Sequence, residues 1–235
     1  CNKRRRIVSH REGHAPFWLD NETIGYVTGD GDPIITQRRS RVMSTAVSQN
    51  DPQVLFSLDD MMPAMEEAGV PYLRDLLFWI HYVMVHPDNP EQLFVVGLST
   101  ADPGAHVLTF DRTSSEFRYL MSASYLDNHS LGLSPDGRYL VLTGIDHSDP
   151  DADSENALLQ VFDLARQEIA EITPFLTPRS NFPPFSTYDW SVDGEWLALL
   201  LDDKTIGFFA PDQNQLRLIE APAGECNTPA WINRS

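Results

Sequence analysis

The sequence predicts an all-β protein made of repeated four-stranded antiparallel sheets, on the basis of three observations. First, pairs of short apolar segments joined by a polar turn recur, as in 131–144 (LGLSPDGRYLVLTG) and 188–201 (YDWSVDGEWLALLL). Second, most pairs are followed by a third apolar segment and a fourth, more polar one. Third, the first strands end at matching positions roughly 40 to 60 residues apart, with one longer interval: Trp18, Val85, Leu133, Trp190 and Trp231. Repeats of this length with four strands each are typical of the blades of a β-propeller.

The turn residues explain how each pair of strands forms a hairpin. Asp136-Gly137 and Asp193-Gly194 suit tight turns because these residues tolerate the positive φ that such turns need. The third strands are expected at 33–36, 106–110, 157–162 and 205–209, and the fourth strands at 117–121, 169–172 and 216–219. One such sheet cannot bury both of its faces alone, so the blades are expected to stack on one another. The tryptophans that end inner strands are therefore interpreted as packing residues: Trp18, Trp190 and Trp231.

The long first interval contains a helical signal. Ser57 is a typical helix N-cap, Asp59 and Asp60 follow where a first helical turn favours acids, and Gly69 is a typical helix-ending residue. Residues 48–78 are therefore predicted to form a partly helical insertion between blades.

The predicted domain is 1–235, as a single β-propeller domain or a propeller fragment, with about four to five blades visible. The segment 5–8 is similar to an outer strand, and the segment 229–235 is similar to an inner strand. Either the two ends of the chain share one blade that closes the ring, or the chain is part of a larger propeller.

The repeat also carries a family resemblance. Leu133-Ser134-Pro135-Asp136-Gly137-Arg138-Tyr139-Leu140 and Trp190-Ser191-Val192-Asp193-Gly194-Glu195-Trp196-Leu197 resemble the WD40-like repeat of TolB-type propellers. The same repeat occurs in the propellers of prolyl-oligopeptidase-like enzymes. The resemblance implies a fold rather than a function, because propellers serve as enzymes, scaffolds and receptors.

The amino-acid composition argues against some classes of binding partner. Acids outnumber bases 34 to 17 and the formal net charge is −17, which argues against nucleic acid, whose phosphates require Lys and Arg. The longest apolar run, 76–85 (LLFWIHYVMV), is too short to span a bilayer and is interpreted as a buried strand. Cys1 is either the lipid-bearing residue of a processed bacterial lipoprotein or an arbitrary first residue. An extracytoplasmic location, periplasmic or at the cell surface, is expected on this basis.

The motifs that would carry chemistry are incomplete. Ser99 and Ser134 come nearest to a Gly-x-Ser-x-Gly nucleophile motif, and both lack its second glycine, so an enzyme is not favoured. Asp149, Asp151 and Asp153 imitate the start of a calcium loop. Ser154 then replaces the turn glycine, and Gln160 stands where the closing carboxylate belongs. A solvated loop without a cofactor is therefore favoured over a Ca²⁺ site.

The predicted binding surface is an acidic face. In a four-stranded antiparallel blade, the segments between the second and third strands and the connectors between blades emerge on one side. Candidate contacts for a protein or peptide partner are therefore Asp30, Asp32, Asp102, Asp127, His129, Asp146, Asp202 and Asp203. We expect a non-enzymatic binding or scaffold module that uses this face. Two alternatives stay open: the acidic loops are simply those of any protein this acidic, or the chain is the accessory propeller of a larger prolyl-oligopeptidase-like hydrolase whose catalytic domain lies outside it.

Overall fold

Four four-stranded antiparallel sheets account for nearly all the regular structure that is described. The computed structural model describes residues 14–29, 40–49, 51–70, 78–99, 105–123, 130–146, 156–171, 188–200 and 205–220. The chain divides into two compact units, Cys1–Ser124 and Tyr125–Ser235, each holding two of the sheets. In every sheet the strands lie in the order in which they occur along the chain.

The first unit contains sheets 1 and 2. Sheet 1 consists of β1 (His14–Trp18), β2 (Thr23–Thr28), β3 (Arg41–Ala46) and β4 (Gln53–Ser57). Helix α1 (Leu58–Glu67) follows it. Sheet 2 consists of β5 (Phe78–His86), β6 (Asn89–Ser99), β7 (Ala105–Asp111) and β8 (Glu116–Ala123).

The second unit contains sheets 3 and 4. Sheet 3 consists of β9 (Ser130–Leu133), β10 (Tyr139–Asp146), β11 (Asn156–Asp163) and β12 (Glu168–Glu171). Sheet 4 consists of β13 (Tyr188–Trp190), β14 (Leu197–Leu200), β15 (Thr205–Ala210) and β16 (Gln215–Glu220), with a short 3-10 helix at Pro211–Gln213. The predicted four-stranded antiparallel unit is confirmed, and in sheets 2 to 4 the third and fourth strands lie where the sequence predicts them.

Sheet 1 differs from the prediction. Its third strand is Arg41–Ala46 rather than 33–36, which lies outside the described residues, and its fourth strand, Gln53–Ser57, falls inside the segment read as an insertion. The reason is compositional. In β3 the buried side chains are only Val42 and Thr45, set among Arg and Ser, so the segment lacks the apolar run by which strands are recognised.

The predicted helix is confirmed at its start and at its end. At the N-terminus the Asp60 carboxylate accepts hydrogen bonds from the Ser57 backbone N–H and from the Ser57 hydroxyl, both at 2.7 Å. At the C-terminus Gly69 adopts φ +73°, the left-handed conformation that commonly follows a helix. The helix buries Met61 and Met65, so it is anchored by its apolar face.

The core of each unit lies between its two sheets. In the first unit, Val27 and Val42 of sheet 1 pack with α1 and with Val95 and Leu108 of sheet 2. The predicted buried strand within 76–85 is confirmed, since β5 buries Phe78, Ile80 and Val83. In the second unit, one face of sheet 3 packs against one face of sheet 4 through Tyr139, Val141, Val161, Trp190, Leu197, Leu199 and Phe209. No helix among the described residues is long and apolar enough to cross a membrane.

Candidate functional site

Each sheet has two ends with different chemistry. We call the end with the turns between strands 1 and 2 and between strands 3 and 4 the turn end. We call the opposite end, where strand 2 leads to strand 3, the loop end. Four segments of the sequence connect strand 2 to strand 3 of the sheets: 29–40, 100–104, 147–155 and 201–204.

Two turns at the turn end of the second unit share one hydrogen-bonding scheme. The Ser134 hydroxyl donates to the Asp136 carboxylate at 2.5 Å and accepts the Tyr139 N–H at 2.9 Å. The Ser191 hydroxyl donates to the Asp193 carboxylate at 2.6 Å, and it accepts the Trp196 N–H at 2.9 Å. Each serine hydroxyl therefore donates and accepts a hydrogen bond within its own turn. Ser134 is a turn residue and has no free hydroxyl with which to act as a nucleophile.

The glycines of these turns are required by backbone geometry. Gly137 and Gly194 have φ of +69° and +73°, which side chains with a Cβ rarely adopt. A Cβ added to Gly194 would also lie 3.0 Å from the Asp136 carboxyl carbon, so the turns of sheets 3 and 4 touch. The predicted Asp-Gly turns are confirmed, and they bring the turn ends of both sheets together.

An ion-pair network next to these turns was not predicted from the sequence. The Arg138 guanidinium donates to both oxygens of Asp212, at 2.9 and 2.6 Å, and to Asp163 at 2.9 Å. Arg166 approaches the same two carboxylates at 3.7 to 3.8 Å. Asp212 lies in the β15–β16 turn of sheet 4, so this cluster joins sheet 3 to sheet 4. Nothing in the local sequence signals it, because its members are up to 74 positions apart.

The network shifts the protonation equilibria of its members. Burial acts to raise the pKa of Asp163, but the backbone N–H of Arg166 and the Arg138 guanidinium outweigh it, and the pKa is lowered. Hydrogen bonding to Arg138 likewise lowers the pKa of Asp212. The pKa of Tyr139 is raised, first by burial and then by the Asp212 carboxylate. Asp163 and Asp212 are therefore anionic, and Tyr139 is neutral, near neutral pH.

Aromatic packing continues inward from this network. Tyr139 stacks on Trp190, with ring centroids 5.8 Å apart and planes inclined by 15°, and the Arg138 guanidinium lies 4.7 Å from the Tyr139 centroid. Trp190 is 7% exposed, which confirms its predicted packing role. Trp18 differs, because it is 61% exposed, and Trp231 lies outside the described residues.

A buried histidine in the first unit was also not predicted. His106 on β7 is 2% exposed, and its Nδ1 lies 3.1 Å from the Tyr119 hydroxyl on β8. The Phe78 ring centroid lies 5.5 Å from the His106 ring centroid. The arrangement holds a polar pair inside the unit 1 core, where burial requires hydrogen bonding. A sequence signal was present, since His106 lies among the apolar residues Ala105, Val107 and Leu108 at the start of β7.

Of the predicted partner-binding residues, only Asp146 belongs to the described part of the chain. Asp146 is the last residue of β10, where it pairs with Asn156. The other candidates lie outside the described residues: Asp30, Asp32, Asp102, Asp127, His129, Asp202 and Asp203. The same holds for the calcium candidates Asp149, Asp151 and Asp153, and for Cys1. Within the described part of the chain, no group of three or more His, Cys, Asp or Glu side chains could hold a metal ion.

Comparison with known proteins supports the fold. No protein-family model matches the chain, and no curated protein matches it. Among solved structures, TolB from Acinetobacter baumannii matches with a TM-score of 0.52 and 13% identity over 93% of this chain and 46% of that one. The β-propeller domain of the trilobed protease from Pyrococcus furiosus matches with 0.54 and 12%, over 89% and 57%. The acylaminoacyl peptidase of Pyrococcus horikoshii matches with 0.56 and 13%, over 88% and 32%.

These matches show a fold. The chain has the architecture of TolB-like β-propellers, built from four-stranded antiparallel blades, as the sequence predicts. It spans about half of the TolB chain and about a third of the peptidase chain.

Proposed function

We propose that this chain is a non-enzymatic propeller module that binds a basic protein or peptide through the acidic loop ends of its sheets. The observation that carries the proposal is the unequal use of charge at the two ends of the sheets. At the turn ends, several acidic side chains are engaged by the protein's own donors: Asp111, Asp163, Asp193 and Asp212. At the loop ends, the sequence supplies acids with few bases beside them.

These four turn-end acids are engaged by hydrogen bonds and ion pairs within the fold. Asp111 accepts the backbone N–H groups of Thr113 and Ser114 at 2.8 and 2.9 Å, and these bonds lower its pKa. Asp193 is held by its Ser191 hydrogen bond, which lowers its pKa as well. Asp163 and Asp212 share Arg138. Carboxylates used in this way are poor recognition groups, because a partner would have to replace bonds that already exist.

The loop-end segments differ in composition. The stretch 146–155 (DHSDPDADSE) contains five acids and no Lys or Arg, and 201–204 (LDDK) adds Asp202 and Asp203. In the second unit the turns of sheets 3 and 4 touch, so their loop ends share the opposite side of that unit. The first unit is less one-sided, because Arg38 and Arg39 accompany Asp30 and Asp32. The second unit is therefore the better candidate for a basic partner.

The test compares charge reversal at the two ends. The triple variant Asp149→Lys, Asp151→Lys, Asp153→Lys removes the loop-end charge. The matched control, Asp88→Lys, Glu116→Lys, Glu195→Lys, makes the same change in net charge at exposed turn-end positions. Binding of a synthetic oligolysine peptide is measured by calorimetry at low and at physiological salt. We expect the loop-end variant to bind more weakly by about threefold to about a hundredfold, since three exposed charge contacts at about 0.2–1 kcal/mol each contribute about 0.6–3 kcal/mol.

The control decides between a selected surface and a merely acidic protein. Retained binding by the control supports the loop ends as the recognition surface. Equal losses in both triple variants would show that only the net charge matters, and the proposal would then fail.

The calcium interpretation is not part of the proposal. Gln160, where a calcium loop would place its closing carboxylate, lies within β11 and is 7% exposed, paired with Leu142 and Glu171. A calorimetric titration with Ca²⁺ is therefore expected to give no heat of binding and no thermal shift. Saturable heat would restore Asp149, Asp151 and Asp153 as ligands.

A second candidate is the accessory propeller of a larger hydrolase. It is favoured by the likeness to the peptidase from Pyrococcus horikoshii, of which this chain spans 32%. Its test is the gene sequence downstream of Ser235, where a Gly-x-Ser-x-Gly domain would support the hydrolase. An extracytoplasmic location belongs to the main proposal, and fractionation of the tagged gene product tests it.

A further inference from the structure

The outer strand of sheet 4 lacks the features that protect the outer strands of the other three sheets. A strand at the edge of a sheet presents unpaired backbone groups, and proteins protect such edges with bulges, short strands and charged residues. The ladders that join β4 to β3 and β8 to β7 each contain a register shift. Strand β12 is four residues long and has a glutamate at each end, Glu168 and Glu171.

Strand β16 has a regular edge instead. All its residues, Gln215–Glu220, pair with β15 without a register shift, and the strand contains no Pro or Lys. Every residue of β16 except Leu216 is exposed. Among the described residues, only β15 pairs with this strand. The other side of β16 therefore offers backbone N–H and C=O groups with which a further strand can pair.

The side chains along this edge are apolar on both faces of the sheet. Leu218 is 57% exposed and lies on the face turned toward sheet 3, because Leu216, two positions away, packs against the core between the sheets. Ile219 is 53% exposed and lies on the opposite face. An added strand would therefore cover an aliphatic side chain on each face, besides forming main-chain hydrogen bonds.

Charge indicates which kind of strand fits this edge. Glu220 is exposed and ends β16 at the loop end of sheet 4, where it pairs with Thr205, the first residue of β15. Asp202 and Asp203 lie shortly before Thr205 in the sequence. A second copy of the chain, at −17, would be repelled, whereas a segment with a basic end would be attracted to this end of β16.

We propose that β16 is a docking edge for an extended segment of a partner protein, which adds a strand to sheet 4. The segment runs antiparallel to β16, as neighbouring strands of this sheet do. It carries apolar side chains opposite Leu218 and Ile219, and basic residues at its N-terminal end, beside Glu220. The inference rests on the proposed function only for that basic end, since strand pairing is separate from binding at the loop ends.

The probe is the synthetic peptide Lys-Lys-Val-Val-Thr-Val-Thr, whose Val and Thr residues favour extended structure. The control peptide, Lys-Lys-Gly-Gly-Ser-Gly-Ser, has the same length and charge without strand-forming residues. Calorimetry at physiological salt should show that the first peptide binds at least about tenfold more tightly than the second. Hydrogen exchange of the backbone amides of Gln215–Glu220 should slow in the complex, a change that side-chain contact alone would not cause.

Three single variants locate the contact. Leu218→Lys and Ile219→Lys each place a charge beside the edge, as natural edge strands do, and each should abolish the difference in affinity between the two peptides. Val192→Lys is the matched control, because it makes the same change in net charge at an aliphatic residue of the β13–β14 turn that is 63% exposed. It should keep the difference. Repulsion from the added lysine acts on both peptides alike, so the difference isolates strand pairing.

Equal affinity of the two peptides for the wild type, or unchanged exchange of the β16 amides, overturns the proposal, whatever oligolysine shows at the loop ends. Loss of the difference in Val192→Lys overturns it as well. Sedimentation that shows a wild-type dimer and a monomeric Leu218→Lys variant would assign the edge to a second copy instead of a partner segment. If oligolysine does not bind while the peptide difference remains, the proposed function fails and docking at β16 stands.

Discussion

Replacing Arg138 by alanine tests whether the turn-end network holds sheets 3 and 4 together. The guanidinium makes three hydrogen bonds of 2.6 to 2.9 Å, two to Asp212 of sheet 4 and one to Asp163 of its own sheet. Its own side chain is 30% exposed, and the side chains of Asp163 and Asp212 are 11% and 53% exposed. The two carboxylates therefore contribute unequally.

The magnitude follows from these exposures. The bond to the largely buried Asp163 is a charge-assisted hydrogen bond of about 1.5–3 kcal/mol. The pair with Asp212 is solvent-screened and contributes about 0.2–1 kcal/mol. Arg166, 3.8 Å from Asp163, and the backbone N–H groups of Ala165 and Arg166 would still satisfy part of Asp163. We therefore expect Arg138→Ala to lower the free energy of unfolding by about 2–3 kcal/mol.

Urea denaturation followed by tryptophan fluorescence measures this loss, since Trp190 reports on the packing of sheet 3 against sheet 4. Arg166→Ala is the matched control, because it removes an arginine that is 57% exposed and lies 3.7 Å or more from both carboxylates. Its expected cost is below about 1 kcal/mol. Equal losses of unfolding free energy in the two variants, or no loss in Arg138→Ala, would refute the conclusion that the network links sheet 3 to sheet 4.

Three further predictions concern the same structure. Ser134→Ala and Ser191→Ala should each lower the free energy of unfolding by about 1–3 kcal/mol, because each removes the acceptor of a backbone N–H. The two losses should be similar when measured by urea denaturation. Gly97→Ala should cost about 1–3 kcal/mol because its Cβ would overlap the Phe78 ring, whereas Gly29→Ala, with nothing within 4 Å, should be close to neutral in the same assay. Stability should fall as pH drops below about 4, because the carboxylates of the network have lowered pKa values, so their contribution is present above the unfolded pKa and is lost as they protonate. Over that range the cost of Arg138→Ala should shrink, and a cost that is constant down to acid unfolding would contradict this.

The predictable part of the fold is its local part. A turn such as Ser134-Pro135-Asp136-Gly137 contains all the groups that form it, so its hydrogen bonds can be anticipated from a few neighbouring residues. Strands β7, β11 and β15 were predictable because apolar residues are concentrated there. The helix was predictable because Ser57 and Gly69 mark its two ends.

The parts that could not be predicted depend on distant residues. The partnership of Arg138 with Asp212 joins turns of different sheets, and an Arg in a turn is otherwise an ordinary surface residue. Strand β3 contains polar residues next to its buried ones, so its sequence lacks the apolar pattern of a strand. Its Val42 is buried against sheet 2 and α1, which lie elsewhere in the sequence. The exposure of Trp18 could not be read from its motif, since the same motif buries Trp190.

The two ends of the second unit balance their charge in different ways, and this bears on function. At the turn end, backbone N–H groups and Arg138 engage the carboxylates of Asp163 and Asp212 within the fold, so their charge stabilises the protein itself. The stretch 146–155 contains no Lys or Arg, so its charge must be balanced by solvent ions or by a partner. Salt should therefore affect the two ends in opposite directions: it weakens the exposed Arg138–Asp212 pair and relieves repulsion within the loop-end acids. In the triple lysine variant at 149, 151 and 153 the second effect disappears, so salt should stabilise the wild type more than that variant. If salt affects both equally, the loop-end acids lie too far apart to repel one another, and they would then form no continuous surface for a basic partner.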